Sequence, residues 1–278
     1  MDSRKIENAV WQANILLHEK EGPYYQAIHF EIFNFLEQHR LTRALIDATS
    51  KVSSRSRVAL DFGCGTGNVT SKLLSLGWKV IAADTSKTML AVLKNNLRSA
   101  CSTGQLLLYQ LEGKRLNLKD ESLGIITCYS VLHHLYDYMY TIDEFSRVLD
   151  KGGVLFIDHE QSDDFWKSQG NLLYELDVKT SLMINDLYLR RVRRIKSPSL
   201  DYTLSDYRTR YGTRISWPDV RTLLREKGFI VREQNYLVHR CVLPNLLHLA
   251  CRTRIKDTRE LTALKQTTGV PANPSSGS

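Results

Sequence analysis

Residues 58–70, Val-Ala-Leu-Asp-Phe-Gly-Cys-Gly-Thr-Gly-Asn-Val-Thr, constrain the fold of this chain more than any other stretch. An apolar run ends in an acid, Asp61, and glycines follow at alternate positions, Gly63, Gly65 and Gly67. The pattern reads as a buried strand, a tight turn and the start of a helix. Glycine lets the backbone take positive φ and lets a ligand come close where a Cβ would collide. The dinucleotide fingerprint is Gly-x-Gly-x-x-Gly, with a helix N-terminus for the pyrophosphate. Here the third glycine comes one residue early and an acid stands at the strand end. Such a loop suits a ligand with a cationic end better than a pyrophosphate. Cys64 lies where the loop needs a small residue and reads as packing rather than as a reactive thiol.

Strand and helix patterns alternate downstream. Residues 78–84 form a second strand ending in Asp84, 23 residues after Asp61 and one strand–helix–strand step away. A carboxylate there can accept hydrogen bonds from both hydroxyls of a ribose; it can equally cap the helix beginning near Thr85 and Ser86. Residues 106–109 are a third strand, and Glu112 follows it. Residues 125–134 are a fourth strand running into a loop. Residues 142–153 read as an amphipathic helix stopped by glycines, and residues 154–158 as a fifth strand. This alternation predicts a parallel sheet with right-handed crossovers and a ligand at the carboxyl ends of the strands. Upstream, residues 4–48 are helical in pattern, with Gly22-Pro23 separating a first helix (about 4–20) from a second. Ile28, Ile32, Phe33, Phe35 and Leu36 form an apolar stripe that Leu41, Leu45 and Ile46 continue after a break. Residues 49–56 are a polar linker. A helix opens at Ser216-Trp217-Pro218, and the last strands are expected at 229–238 and about 245–254.

Taken in order, these segments resemble the class I S-adenosylmethionine (SAM)-dependent methyltransferases, with residues 58–70 as their motif I. Ser-Val-Leu-His-His-Leu (130–135) and Arg-Val-Leu-Asp-Lys-Gly-Gly-Val-Leu-Phe-Ile (147–157) are similar to the small-molecule, quinone-methyltransferase-like subgroup. The resemblance is dense over residues 55–160 and returns at 216–240. It implies an α/β, Rossmann-like seven-stranded sheet of order 3-2-1-4-5-7-6 with the last strand antiparallel. It further implies an N-terminal helical lid (1–50), a SAM-binding core (51–160), a cap inserted between strands 5 and 6 over the acceptor site (161–215) and a C-terminal part of the core (216–265); the composition of the tail (266–278) reads as disordered. The cofactor would be SAM, at Asp61, Gly63, Cys64, Gly65, Gly67, Asp84, Thr85, Met89 and Tyr129. Glu112 stands where the family has an acid for the adenine amino group, and reads equally as a solvated turn residue. Tyr24 and Tyr25 either stack on the cofactor or anchor their helix to the core. One position departs from the family: its fourth strand begins with an aspartate, here Gly124.

Methyl transfer is an in-line displacement in which positioning supplies much of the acceleration. A hydroxyl acceptor also needs a base, and histidine titrates in the useful range. His133 and His134, after strand 4, and His159, at the end of strand 5, are the candidates; each reads alternatively as packing or capping. A metal is not expected, because no second carboxylate pair stands at matching strand ends. Charge is uneven: residues 1–160 hold 18 Lys+Arg against 18 Asp+Glu, and residues 161–278 hold 20 against 12, so the whole +8 lies in the second part. Much of it is Arg-Arg-Val-Arg-Arg-Ile-Lys at 190–196, a solvated face or a contact for nucleic acid, anionic lipid or an acidic substrate. Trp166, Tyr174, Tyr188, Tyr202, Tyr207 and Tyr211 of the insertion are expected around the acceptor. Five scattered cysteines, no signal-peptide core and no apolar run near 20 residues suggest a cytoplasmic protein. The expected function is methylation of a small organic acceptor at oxygen or nitrogen. Nucleic acid is not an expected partner, since no RNA-binding module or Asn-Pro-Pro-Tyr-type sequence occurs. The rivals are an RNA methyltransferase that uses the basic cap and a catalytically silent SAM-fold binding subunit. Oligomeric state is left open.

Overall fold

The computed structural model describes residues 3–194, 204–205, 214–241 and 255–267. Seven strands form one sheet: β1 (Val58–Phe62), β2 (Lys79–Asp84), β3 (Leu106–Gln110), β4 (Leu123–Tyr129), β5 (Leu149–Gln161), β6 (Phe229–Tyr236) and β7 (Thr258–Lys265). Their order is β3-β2-β1-β4-β5-β7-β6, parallel from β3 to β5, with β7 antiparallel to both neighbours. This is the expected topology. The expected last strand at about 245–254 lies outside the described residues; the last strand in the chain is β7, beginning at Thr258.

Strands buried on both faces read as continuous apolar runs. Leu60, Val80, Ile125, Ile126, Leu155 and Phe156 are all fully buried. On one side the core gathers Phe62, Phe145, Ile142 and Trp217, and on the other Leu41, Leu45, Leu73, Leu93 and Trp78. The covering helices are α4 (Phe35–Ser50), α5 (Asn68–Ser75), α6 (Lys87–Asn96), α7 (Arg98–Ser102), α8 (Tyr138–Val148) and α11 (Trp217–Glu226). The insertion contributes α9 (Asp163–Lys167) and α10 (Leu172–Tyr188), which runs into a π-turn at Leu189–Arg193.

Three local expectations are corrected. The second N-terminal helix is three pieces, α2 (Tyr25–Ile28), α3 (Phe30–Phe33) and α4, because Asn34 leaves helical geometry and its side chain accepts from Glu37 N to cap α4. The stripe is therefore broken: Phe35 (81%), Leu36 and Ile46 are exposed, while Phe30, Ile32, Leu41 and Leu45 are buried. The Gly152-Gly153 pair does not stop a helix. α8 ends at Val148, and the glycines sit inside β5 where the register against β4 jumps from Leu123–Leu149 to Ile125–Val154. Gly152 takes φ +74° there, and its carbonyl accepts from Ser53 and Ser54 N. The glycine at the family's aspartate position has a steric cause. A Cβ on Gly124 would run into the carbonyl oxygen of Ser56 and the ring of Trp78.

Candidate functional site

The carboxyl ends of β1, β2 and β4 open into a cavity of about 1000 Å³, its mouth included. That is room for a nucleoside-sized ligand with a small molecule beside it. The floor is the glycine loop. Gly63 and Cys64 N–H both donate to Ala83 O, tying the loop to β2. Gly65 takes φ +51°, and a Cβ on it would meet only the Tyr25 ring, at 3.9 Å, so its absence leaves cradle space in the cavity. Asp84 stands on the cavity wall, with its Oδ2 accepting from Gly65 N at 2.9 Å and its Oδ1 from Ser86 N at 2.8 Å. Burial raises its pKa. The α6 cap is Ser86, which accepts from Met89 N. Asp84 thus orders the turn before the helix and does not cap it.

Asp61 is buried behind the loop. Thr70 Oγ1 donates to it at 2.6 Å and Thr127 Oγ1 at 3.0 Å. Burial pushes its carboxyl up to about 6, against the pull of both hydroxyls. Gly63, Gly65, Asp84, Thr85, Met89, Tyr25 and Tyr129 line the cavity. Asp61, Cys64 and Gly67 lie behind it. Glu112 points to solvent between two lining residues, Leu111 and Gly113, and Tyr24 is 42% exposed. Among the described aromatics of the insertion, none lines this cavity. Tyr174 donates to Asp257, Tyr188 packs on Phe30, and Trp166 lies against Arg214; Tyr202, Tyr207 and Tyr211 lie outside the described residues.

The three histidines have three different fates. His133 Nδ1 bonds Glu160 at 2.9 Å; that buried carboxylate also accepts from the backbone N–H of Val131, Leu132 and His133. His133 therefore secures the loop after β4. His159 adopts φ +60° and stacks on Tyr129 at 5.0 Å, reaching the cavity only through that ring. Its Nε2 is buried with no partner among the described residues. His134 lines the cavity. Its Nδ1 lies 2.9 Å from the carbonyl of Ser205 in the insertion, an acceptor only, so Nδ1 carries the proton and Nε2 the lone pair. Burial holds its pKa well below the ordinary histidine range.

The opposite wall is α1 (Ser3–Glu21), whose Glu7, Val10, Trp11, Asn14 and His18 recur at helical spacing and face the cavity. Sequence reasoning concentrated on the tyrosine pair and missed this stripe, although the spacing was there to be read. Asn14 Nδ2 donates to Val10 O and His134 O, and its buried Oδ1 has no partner among the described residues. Two polar ties hold α1 down. Lys114 pairs with Glu7 and, at 3.4 Å, with Asp137. Glu19 reaches the start of α6, where Thr88 Oγ1 (2.5 Å) and Lys87 N (3.0 Å) donate to it; the Thr88 bond leads in lowering its pKa.

Comparison with known proteins gives this architecture its class. A family model described as a methyltransferase domain matches residues 60–157. Uncharacterized methyltransferases of Bacillus anthracis and Bacillus cereus are 29% identical over 176 residues, covering 62% of this chain and 69% of theirs. A methyltransferase of Haloferax volcanii in complex with the Trm112 methyltransferase activator superposes with a TM-score of 0.57 at 14% identity, over 90% of this chain and 97% of that one. Magnesium protoporphyrin IX methyltransferase of Synechocystis PCC 6803, with bound S-adenosylhomocysteine (SAH), gives 0.53 at 14% identity, over 91% and 99%. These structures share the fold. Residues 60–157 form a class I SAM-dependent methyltransferase domain, and the chain is a SAM-dependent methyltransferase. Among the described residues no helix is long and apolar enough to cross a membrane.

Proposed function

We propose that this enzyme methylates a small organic acceptor at oxygen or nitrogen, with His134 as the general base. The observation that carries the reading is the position of His134: its Nε2 lone pair is kept by the Ser205 carbonyl, and it shares one cavity with the glycine loop and Asp84. SAM fits this donor set. Asp84 would take the ribose hydroxyls, the Gly65 cradle would admit the amino-acid end, and Leu111 and Gly113 would flank the adenine. When bound, SAM supplies an electrophilic methyl whose carbon–sulfur bond breaks as the bond to the acceptor atom forms. His134 Nε2 would take the acceptor's proton, and Asn14 Oδ1 would receive a second donor of the same molecule. α1 would act as the lid that excludes water, with Tyr25 and Tyr129 closing the inner end. Residues 51–160 then hold the cofactor, while residues 161–215 contribute the carbonyl that orients the base. None of the described exposed arginines of the insertion lines this cavity, which favours a small acceptor over RNA.

The test is calorimetry with SAH, followed by transfer of labelled methyl from SAM into fractionated metabolites. Asp84→Ala should weaken SAH by about 1–3 kcal/mol, through loss of charge-assisted hydrogen bonds and of the loop's tie to β2. A protein that binds SAH normally after this change, or labels only RNA, would defeat the assignment.

A further inference from the structure

α10 is inside out. Its buried face is polar: Tyr174, Asp177, Ser181 and Asn185 point inward. Tyr174 donates to Asp257 at 2.9 Å, and Asn185 Nδ2 donates to Arg240 O at 2.7 Å. At ~100° per residue, Leu172, Leu176, Met183 and Leu187 fall within ~60° of one another on the opposite side. They are 70%, 41%, 67% and 55% exposed. An ordinary surface helix has the reverse arrangement, with its apolar stripe turned to the core. The stripe runs for ~22 Å and ends at the π-turn, where Arg190, Arg191, Arg193 and Arg194 are all exposed. Arg190 is paired with Asp186; Arg191, Arg193 and Arg194 have no ion pair among the described residues. This is also the half of the sequence that carries the whole net +8.

We propose that the outer face of α10 and its arginine turn form a docking surface for an anionic lipid bilayer. The charge chooses the occupant: an exposed aliphatic stripe continuous with clustered arginines matches an acyl layer beneath anionic headgroups. The helix would lie along the membrane surface, so the absence of a spanning helix among the described residues is compatible with it. The proposal is independent of the methylation reading, because none of these residues lines the cavity.

Co-sedimentation of the purified chain with vesicles tests it. Vesicles of phosphatidylcholine with phosphatidylglycerol should bind the protein, and phosphatidylcholine alone should bind at least about 10-fold more weakly. The double change Leu176→Ser with Met183→Ser, and separately the change of the four arginines to glutamine, should each weaken binding by about 10-fold or more. Unchanged thermal melting of both variants would show that the fold is kept. Three results would overturn the proposal. One is no binding to the anionic vesicles. Another is binding that the Leu176/Met183 variant leaves intact, which would make it a charge effect alone. The third is a concentration-dependent dimer, abolished by the same variant, with no vesicle binding; the stripe would then be a contact between copies of the chain.

Discussion

At the carboxyl ends of β1 and β2, the buried carboxylates are held largely by their own neighbourhood. Asp84 takes Ser86 and, 19 positions away on the loop after β1, Gly65; Asp61 takes Thr70 and, from the adjacent strand, Thr127. At the ends of β4 and β5 the wiring comes from across the molecule. Asp158 is held by Arg40 at 2.6 Å and by Tyr236 at 2.9 Å, residues 118 and 78 positions away. Glu37 accepts from the Tyr129 hydroxyl, 92 positions on, and Arg40 also binds Glu37 and Glu260 while packing on the Tyr236 ring. The first half of the site is made by a local turn. The second exists only once the N-terminal helices and the last strands have docked.

The largest expected effect separates the chemistry of the second half from its scaffolding. His134→Gln should lower turnover by about 10²–10⁴ while SAH affinity stays close to that of the parent. His133→Gln and His159→Gln should cost far less rate. Because burial keeps His134 deprotonated to pH values below the ordinary 6.5, the acid limb of the rate profile should lie below that value. Equal losses at all three histidines would erase the distinction between a base and its supports. Next comes Arg40→Met, which strands Glu37, Asp158 and Glu260 without their shared cation. Urea unfolding should show a loss of about 3–5 kcal/mol. Asp61→Asn, in the locally wired half, should cost about 1 kcal/mol. Similar values for the two would mean that the contrast in wiring has no energetic counterpart.

An effect of the same order concerns the hinge between α1 and α4. Burial alone would lower the His29 imidazole, but Glu31 at 2.8 Å and Glu21 at 3.2 Å outweigh it and raise its pKa to about 10. A histidine raised in the folded state contributes its stability fully below the unfolded value near 6.5. That contribution is lost as pH rises toward 10. With Glu31 partly exposed, about 1–2 kcal/mol should disappear across this window in chemical unfolding, and His29→Gln should flatten the slope. A slope that survives the substitution would assign it to other groups.

This contrast also explains what could be read from the chain itself. The strand order, the glycine turn and Asp84 are signalled by residues close in sequence, so the topology and the inner end of the cavity were legible. The choice among His133, His134 and His159 was not. It depends on which imidazole meets Glu160, which meets the Ser205 carbonyl and which lies behind Tyr129, all contacts between distant segments. The two readings of Glu112 are not separated by the sequence either: it is exposed between two residues that line the cavity. The outward apolar stripe of α10 has helical periodicity, and periodicity does not say which face meets the core.

Gly124 has a consequence for the order in which this sequence can change. An aspartate there, as the family pattern has it, would collide with both the Ser56 carbonyl and the Trp78 ring. Placing an acid there in one step overpacks a filled interior, at about 1–3 kcal/mol or more. Shrinking buried Trp78 first would leave a void instead, at about 3–5 kcal/mol. Neither single step is neutral, and the Ser56 carbonyl opposes a Cβ at position 124 whatever fills position 78.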